Sequence, residues 1–192
     1  MKLKLLMLIS VFAFASCKKD KTVSEPAKTY AEENPLELYI SNAGATNTVT
    51  FTNPNYVEMG LVFSPNVTGK IKAFTIKLPS PTNNLRVTLW DYDTKTVLKT
   101  ELINVTAGNI LTTKSIADFS LQKGKKYLLS TNVIDVYLHG KAGNLDIIYP
   151  IVSGNINFLS FNGVNGTTQT FPSTLISGYY AGDLSFVFQQ TE

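Results

Sequence analysis

From about Leu36 onwards the apolar residues recur at every second position, and this period of two restricts the fold more than any other feature of the chain. Val57, Met59, Leu61 and Phe63 alternate with Glu58, Gly60 and Val62; Phe74, Ile76 and Leu78 alternate with Thr75 and Lys77. Leu85, Val87 and Leu89 alternate with Arg86, Thr88 and Trp90, and Leu184, Phe186 and Phe188 close the chain in the same step. Successive side chains of an extended backbone point to opposite faces, so such alternation marks strands with one buried face. Turn chemistry separates the runs at Ser64-Pro65-Asn66, Val67-Thr68-Gly69, Pro79-Ser80-Pro81, Asn83-Asn84, Gln122-Lys123-Gly124 and Gly143-Asn144. Hardly a window has helical spacing. Short strands without intervening helices predict an all-β fold, an antiparallel β-sandwich of jelly-roll type with about nine to eleven strands, or alternatively a barrel. Residues 153–182 are rich in Gly, Asn, Ser and Thr, and Asn162-Gly163 and Asn165-Gly166 are hairpin-turn candidates there.

The first residues have a different character. Met1-Lys2-Leu3-Lys4 is basic, and Leu5 to Ala15 is an uncharged apolar run, about half the roughly 20 residues needed to span a bilayer. A basic start, a short apolar stretch and small residues read as a secretory leader. Ala15-Ser16 is followed directly by Cys17, the single cysteine of the chain. Lys18 to Pro35 is polar, carries both charge signs and is interrupted by Pro26 and Pro35. It can bury little, so a disordered tether is expected, reaching on the order of 23 Å as a coil. The expected organisation is therefore leader 1–16, lipidated N-terminus and tether 17–35, and one domain over 36–192. Loss of the leader removes Lys2 and Lys4 from a formal net charge of +3. The remainder is near neutral, without the clustered basic face that nucleic acid requires.

Phe14-Ala15-Ser16-Cys17 resembles the lipobox of bacterial lipoproteins, with Phe14 standing where Leu is commoner. That resemblance implies cleavage before Cys17, acylation of its thiol and amine, and attachment to a membrane through the lipid. Lys18 replaces the Asp that, in some bacterial lipoproteins, signals retention at the inner membrane, so the expected address is the outer membrane of a Gram-negative envelope. Val57 to Ser64 with Gly69 to Phe74, Leu89-Trp90 with Val97 to Thr100, and Leu121 to Tyr127 are similar to an uncharacterised bacterial β-sandwich family. Members of that family are often appended to extracellular, carbohydrate-related or adhesive proteins, which implies an accessory role and supplies no site residues.

Few residues suggest catalysis. His139 is the one histidine, and a Ser-His-Asp site would need an aspartate such as Asp135 or Asp146 turned towards it. The expectation is a surface histidine at a strand end. One histidine and an acylated cysteine do not make a zinc site. Asp91 and Asp93 form the nearest carboxylate pair, expected as a hairpin turn with side-chain capping and, alternatively, as a calcium site. No enzyme, cofactor or metal is therefore predicted.

Aromatic residues are the better candidates. With Leu85, Val87 and Leu89 inward, Arg86, Thr88, Trp90 and Tyr92 share the opposite face, where Trp90 either lies open to a ligand or packs beneath a loop. Tyr179 and Tyr180, between Gly178 and Gly182, form a second candidate at a loop. The expected function is a non-catalytic module that binds a glycan or a surface protein through Arg86, Trp90, Tyr92, Tyr179 and Tyr180. The alternative is a structural or accessory subunit of a cell-surface assembly.

Overall fold

A computed structural model describes residues 28–192; the expected leader, the lipidation expected at Cys17 and the expected tether up to residue 27 lie outside the described residues. Among the described residues there are twelve strands, one α-helix and a 3-10 turn at Ala142–Asn144: β1 (Glu32–Glu33), α1 (Leu36–Asn42), β2 (Asn47–Pro65), β3 (Gly69–Ile76), β4 (Thr82–Asp91), β5 (Val97–Val105), β6 (Thr112–Leu121), β7 (Tyr127–Gly140), β8 (Ile151–Ser153), β9 (Ile156–Asn165), β10 (Thr174–Ile176), β11 (Tyr180–Ala181) and β12 (Leu184–Gln190). They form an antiparallel sandwich. The larger sheet runs β10-β9-β2-β7-β4-β5, with β8 on β9 and β11 on β7, and the smaller runs β1-β12-β3-β6. Twelve strands slightly exceed the expected nine to eleven, because β1, β8, β10 and β11 are only two or three residues long and carry too few residues for a visible period.

The predicted alternation decides what is inside. Leu85, Val87 and Leu89 of β4, Met59, Leu61 and Phe63 of β2, and Phe158 and Phe161 of β9 turn inward from the larger sheet. Ile71, Phe74 and Ile76 of β3 with Phe186 and Phe188 of β12 meet them from the smaller one. Phe63 and Phe186 touch across the gap with ring centroids 4.7 Å apart. Fully burying one such side chain is worth about 1.5–3 kcal/mol, which makes this layer the main source of stability.

Four local features depart from the expectation. Leu36, Tyr39 and Ile40 have helical spacing and form α1. Tyr39 plugs one end of the sandwich, wholly buried against Phe158 and Tyr180, with its hydroxyl 2.7 Å from that of Tyr149. Burial pushes the Tyr149 phenol up to about 12 and Tyr39 higher still. The stretch expected as tether meets the fold before its end: Glu32 and Glu33 pair with Gln189 and Phe188, and Gln189 donates to the Tyr30 carbonyl. Asn83-Asn84 is a bulge inside β4 rather than a turn, with Asn84 at φ 52. Asn162-Gly163 lies within β9, where a Cβ on Gly163 would stand 2.9 Å from Ile176 Cδ1.

Between β11 and β12 the chain leaves the larger sheet for the smaller. It turns at Gly182 and Asp183, which both have positive φ, 101 and 37. The corner is tied by Gly182 N donating to the Tyr137 carbonyl and Lys77 N to that of Asp183.

Candidate functional site

The outer face of the larger sheet carries the residues expected at a ligand site, and it is covered. A strap of residues 166–173, joining β9 to β10, crosses this face. Gln169 Nε2 donates to Thr88 Oγ1 (2.9 Å) and Thr100 Oγ1 (2.8 Å), and Arg86 donates to the Thr167 carbonyl. Phe171 lies edge-on to Trp90 at 5.7 Å. Trp90 is 4% exposed and packs with Val62 and Leu128, so the open-face alternative is overturned and Trp90 offers no ring to a ligand.

Beneath the strap runs a chain of polar contacts. Trp90 Nε1 donates to Ser130 Oγ (2.8 Å), Ser130 Oγ donates to Glu58 Oε1 (2.5 Å), and Arg86 pairs with Glu58 Oε2 at 2.6 Å. Glu58 is completely buried. Register explains the meeting: Gly60 and Thr88 both pair with Ser130, one on each side of β7. Arg86 is thus committed to Glu58, a structural partner that alternation alone does not reveal.

Tyr92 is placed differently. It is half-buried, its ring 5.8 Å from that of Phe171, with the Lys126 ammonium 5.9 Å from its centroid. With Val62, Lys126, Ser160, Asn162 and Leu175 it lines an outer-face groove of about 380 Å³. Tyr179 lines a second groove, of about 460 Å³, with Asn53, Met59, Asn165, Thr174 and Ile176. The alternation of β10 divides the two, Leu175 serving one and Thr174 and Ile176 the other. Tyr180 is 2% exposed, stacks on His139 and donates to the Leu184 carbonyl; it belongs to the core and is corrected as a ligand residue. Its burial, with the Asp183 carboxylate nearby, raises its phenol well above the usual value.

Asp91 and Asp93 take the turn reading. Asp91 Oδ1 accepts from the backbone of Asp93 (3.1 Å) and Thr94 (3.0 Å), and Oδ2 pairs with Lys125 at 2.7 Å. The Lys125 ammonium and the Thr94 amide hold this carboxyl at about 2. Both oxygens are engaged, and no group of three metal-ligating side chains occurs among the described residues.

His139 ends β7 as expected, but it is buried rather than at the surface. Asp135 accepts from Thr52 and Ser80, and Asp146 from Ser177; neither reaches the imidazole. Its carboxylate partner is Asp183, whose Oδ1 is 2.5 Å from Nε2, while Nδ1 lies 3.0 Å from the Thr48 hydroxyl. A carboxylate only accepts, so Nε2 carries a proton towards Asp183. His139 and Asp183 form part of the wall of a cavity of about 620 Å³, together with Asn34, Leu36, Glu37, Ile40, Lys77, Asn109 and Leu111. Six elements and connections contribute to that wall, from Asn34 to Asp183, so no local motif could have announced it. No protein-family model and no curated protein sequence matches the chain, so the site is read from its own geometry.

Proposed function

We propose that this chain is a lipid-anchored, non-catalytic binding module of the bacterial envelope that takes a glycan in the outer-face groove at Tyr92. The observation that carries the reading is the composition of that groove: a half-buried tyrosine ring beside Ser160, Asn162 and Lys126. A sugar ring presents apolar C–H faces and a rim of hydroxyls, which suit an aromatic surface and a flanking hydroxyl and ammonium respectively; Asn162 is buried and holds Ser160 Oγ and the Pro172 carbonyl, so it shapes the groove. The Lys126 ammonium favours a sugar that also carries a carboxylate. Phe171 packs against the Tyr92 ring, which limits the entropy lost on binding. The anchor is the lipid proposed at Cys17, with the outer membrane as its address.

The test is retention on a glycan array by the detergent-solubilised full chain and its Tyr92→Ala and Tyr179→Ala variants. Retention of an acidic glycan, weakened at least tenfold by Tyr92→Ala and little by Tyr179→Ala, is expected. Absence of retention on every glycan overturns the reading. One observation favours an accessory subunit instead: β5 is the bare edge of the larger sheet, with Val97 and Leu102 about half exposed. An unpaired edge can accept a partner strand. Stoichiometric co-purification of a protein from membranes, lost on Leu102→Lys, would decide for that role.

A further inference from the structure

The cavity bordered by His139 and Asp183 shares no lining residue with the groove at Tyr92, and its chemistry is of another kind. Among the described residues its wall has no Phe, Tyr or Trp, and it has two opposite charges without an ion pair. Lys77 has no ion pair among the described residues; its ammonium lies 5.3 Å from the Tyr137 ring centroid. The Tyr137 hydroxyl in turn donates to Asn109 Oδ1, and the Asn109 amide N–H groups have no acceptor among the described residues. Lys77 and Asn109 are therefore both tied to Tyr137, as neighbouring donors. Glu37 likewise has no ion pair among the described residues and is exposed on the first turn of α1. Asp183 commits Oδ1 to His139 and has no hydrogen-bond partner for Oδ2 among the described residues. Leu36, Ile40 and Leu111 complete the wall with apolar surface.

We infer that this cavity binds a small zwitterion, a free amino acid or a dipeptide, with its carboxylate at Lys77 and Asn109 and its ammonium at Glu37. The volume of about 620 Å³ falls within the usual range for small-molecule sites, roughly 300–1,000 Å³. A ligand with only one charge would leave the opposite group of the wall facing a like charge or nothing, which selects against it. Apolar side chains of the ligand meet Ile40 and Leu111. The floor is fixed in advance: Asp183 is held at a positive φ uncommon for a residue with a side chain, by backbone bonds and by His139. Strain retained at a buried acid beside a cavity is a feature of built sites.

The test is calorimetric titration of the full chain in detergent with L-leucine, L-leucyl-L-leucine, the dipeptide's C-terminal amide, its N-acetyl derivative, and the dipeptide blocked at both ends as its N-acetyl amide. Binding of the free amino acid or dipeptide is expected, with the blocked form at least tenfold weaker. Lys77→Met should abolish the preference for a free carboxylate over its amide, and Glu37→Gln the preference for a free amine over its acetyl derivative. Unchanged Trp90 emission checks that both variants are folded. Equal affinity for the blocked dipeptide, discrimination that survives in both variants, or no binding of either zwitterion overturns the assignment. Because the glycan array probes residues outside this wall, either reading can fail without the other.

Discussion

Glu58 has no exposed surface, yet its two oxygens are accounted for, one by Ser130 and one by Arg86. An ionised carboxylate in such a place depends on its partners, since removing one member of a buried pair leaves a charge that neither water nor protein compensates. Arg86→Met should therefore destabilise the domain by about 3 kcal/mol, the lower end of the range for buried pairs, because the arginine itself is partly exposed. Urea unfolding provides the measurement. The double change Glu58→Gln with Arg86→Met should recover part of the loss, because a neutral amide is cheaper to bury than a carboxylate. A single variant within 1 kcal/mol of the parent, on the scale set for surface pairs, would mean that water reaches Glu58. At this scale the sequence identified Arg86 and Trp90 as facing the same way, which the structure bears out. It could not show that Glu58, on a strand far away in sequence, stands between them.

The strap of residues 166–173 is the element that turns an open sheet face into a second, smaller core. Alternation assigns each strand a face but says nothing about what crosses that face, and the strap has no period of its own to be read. Its Gly, Thr, Pro and Ser content marks a loop and leaves the path of that loop undetermined. The helix α1 is illegible in the sequence for a related reason: seven residues give a single turn of apolar spacing at Leu36, Tyr39 and Ile40, too short to stand out beside the strands. The strap has one dominant attachment, Phe171, which touches both Trp90 and Tyr92. Phe171→Ala should loosen it and let water reach the indole. Trp90 is the only tryptophan in the chain, so its fluorescence reports this change alone. A red-shifted emission maximum, stronger acrylamide quenching and a loss of about 2 kcal/mol are expected, less than for a fully buried phenylalanine. Emission unchanged from the parent would mean that the strap is held by Gln169 and Arg86 instead.

At the scale of the whole molecule, the sandwich separates its tasks in space. The core between the sheets provides stability, the outer face carries the groove at Tyr92, and the crossover at Gly182-Asp183 borders the cavity. The sequence made the first legible through its period, whereas the two concavities depend on distant segments meeting, such as Tyr92 with Asn162 and Lys77 with Asp183. Placement in the envelope depends on neither. The first paired residues among those described, Glu32 and Glu33, join the edge of the smaller sheet, fifteen residues after the proposed attachment point at Cys17. No described helix is long and apolar enough to cross a membrane. Under the proposed reading, membrane affinity comes from acyl chains on Cys17, at about 0.8 kcal/mol per buried CH₂, and two or three chains hold firmly where one would be marginal. Cys17→Ser removes the thiol that accepts the first chains and should move the protein from the detergent-rich to the aqueous phase in a cloud-point separation. The variant's sandwich should keep the same Trp90 emission, since residue 17 precedes every described strand. Mass spectrometry of the native protein should show residues 1–16 removed and the acyl mass on Cys17. If the Cys17→Ser variant stays in the detergent-rich phase with its fold intact, the membrane affinity resides elsewhere and the lipid anchor is refuted.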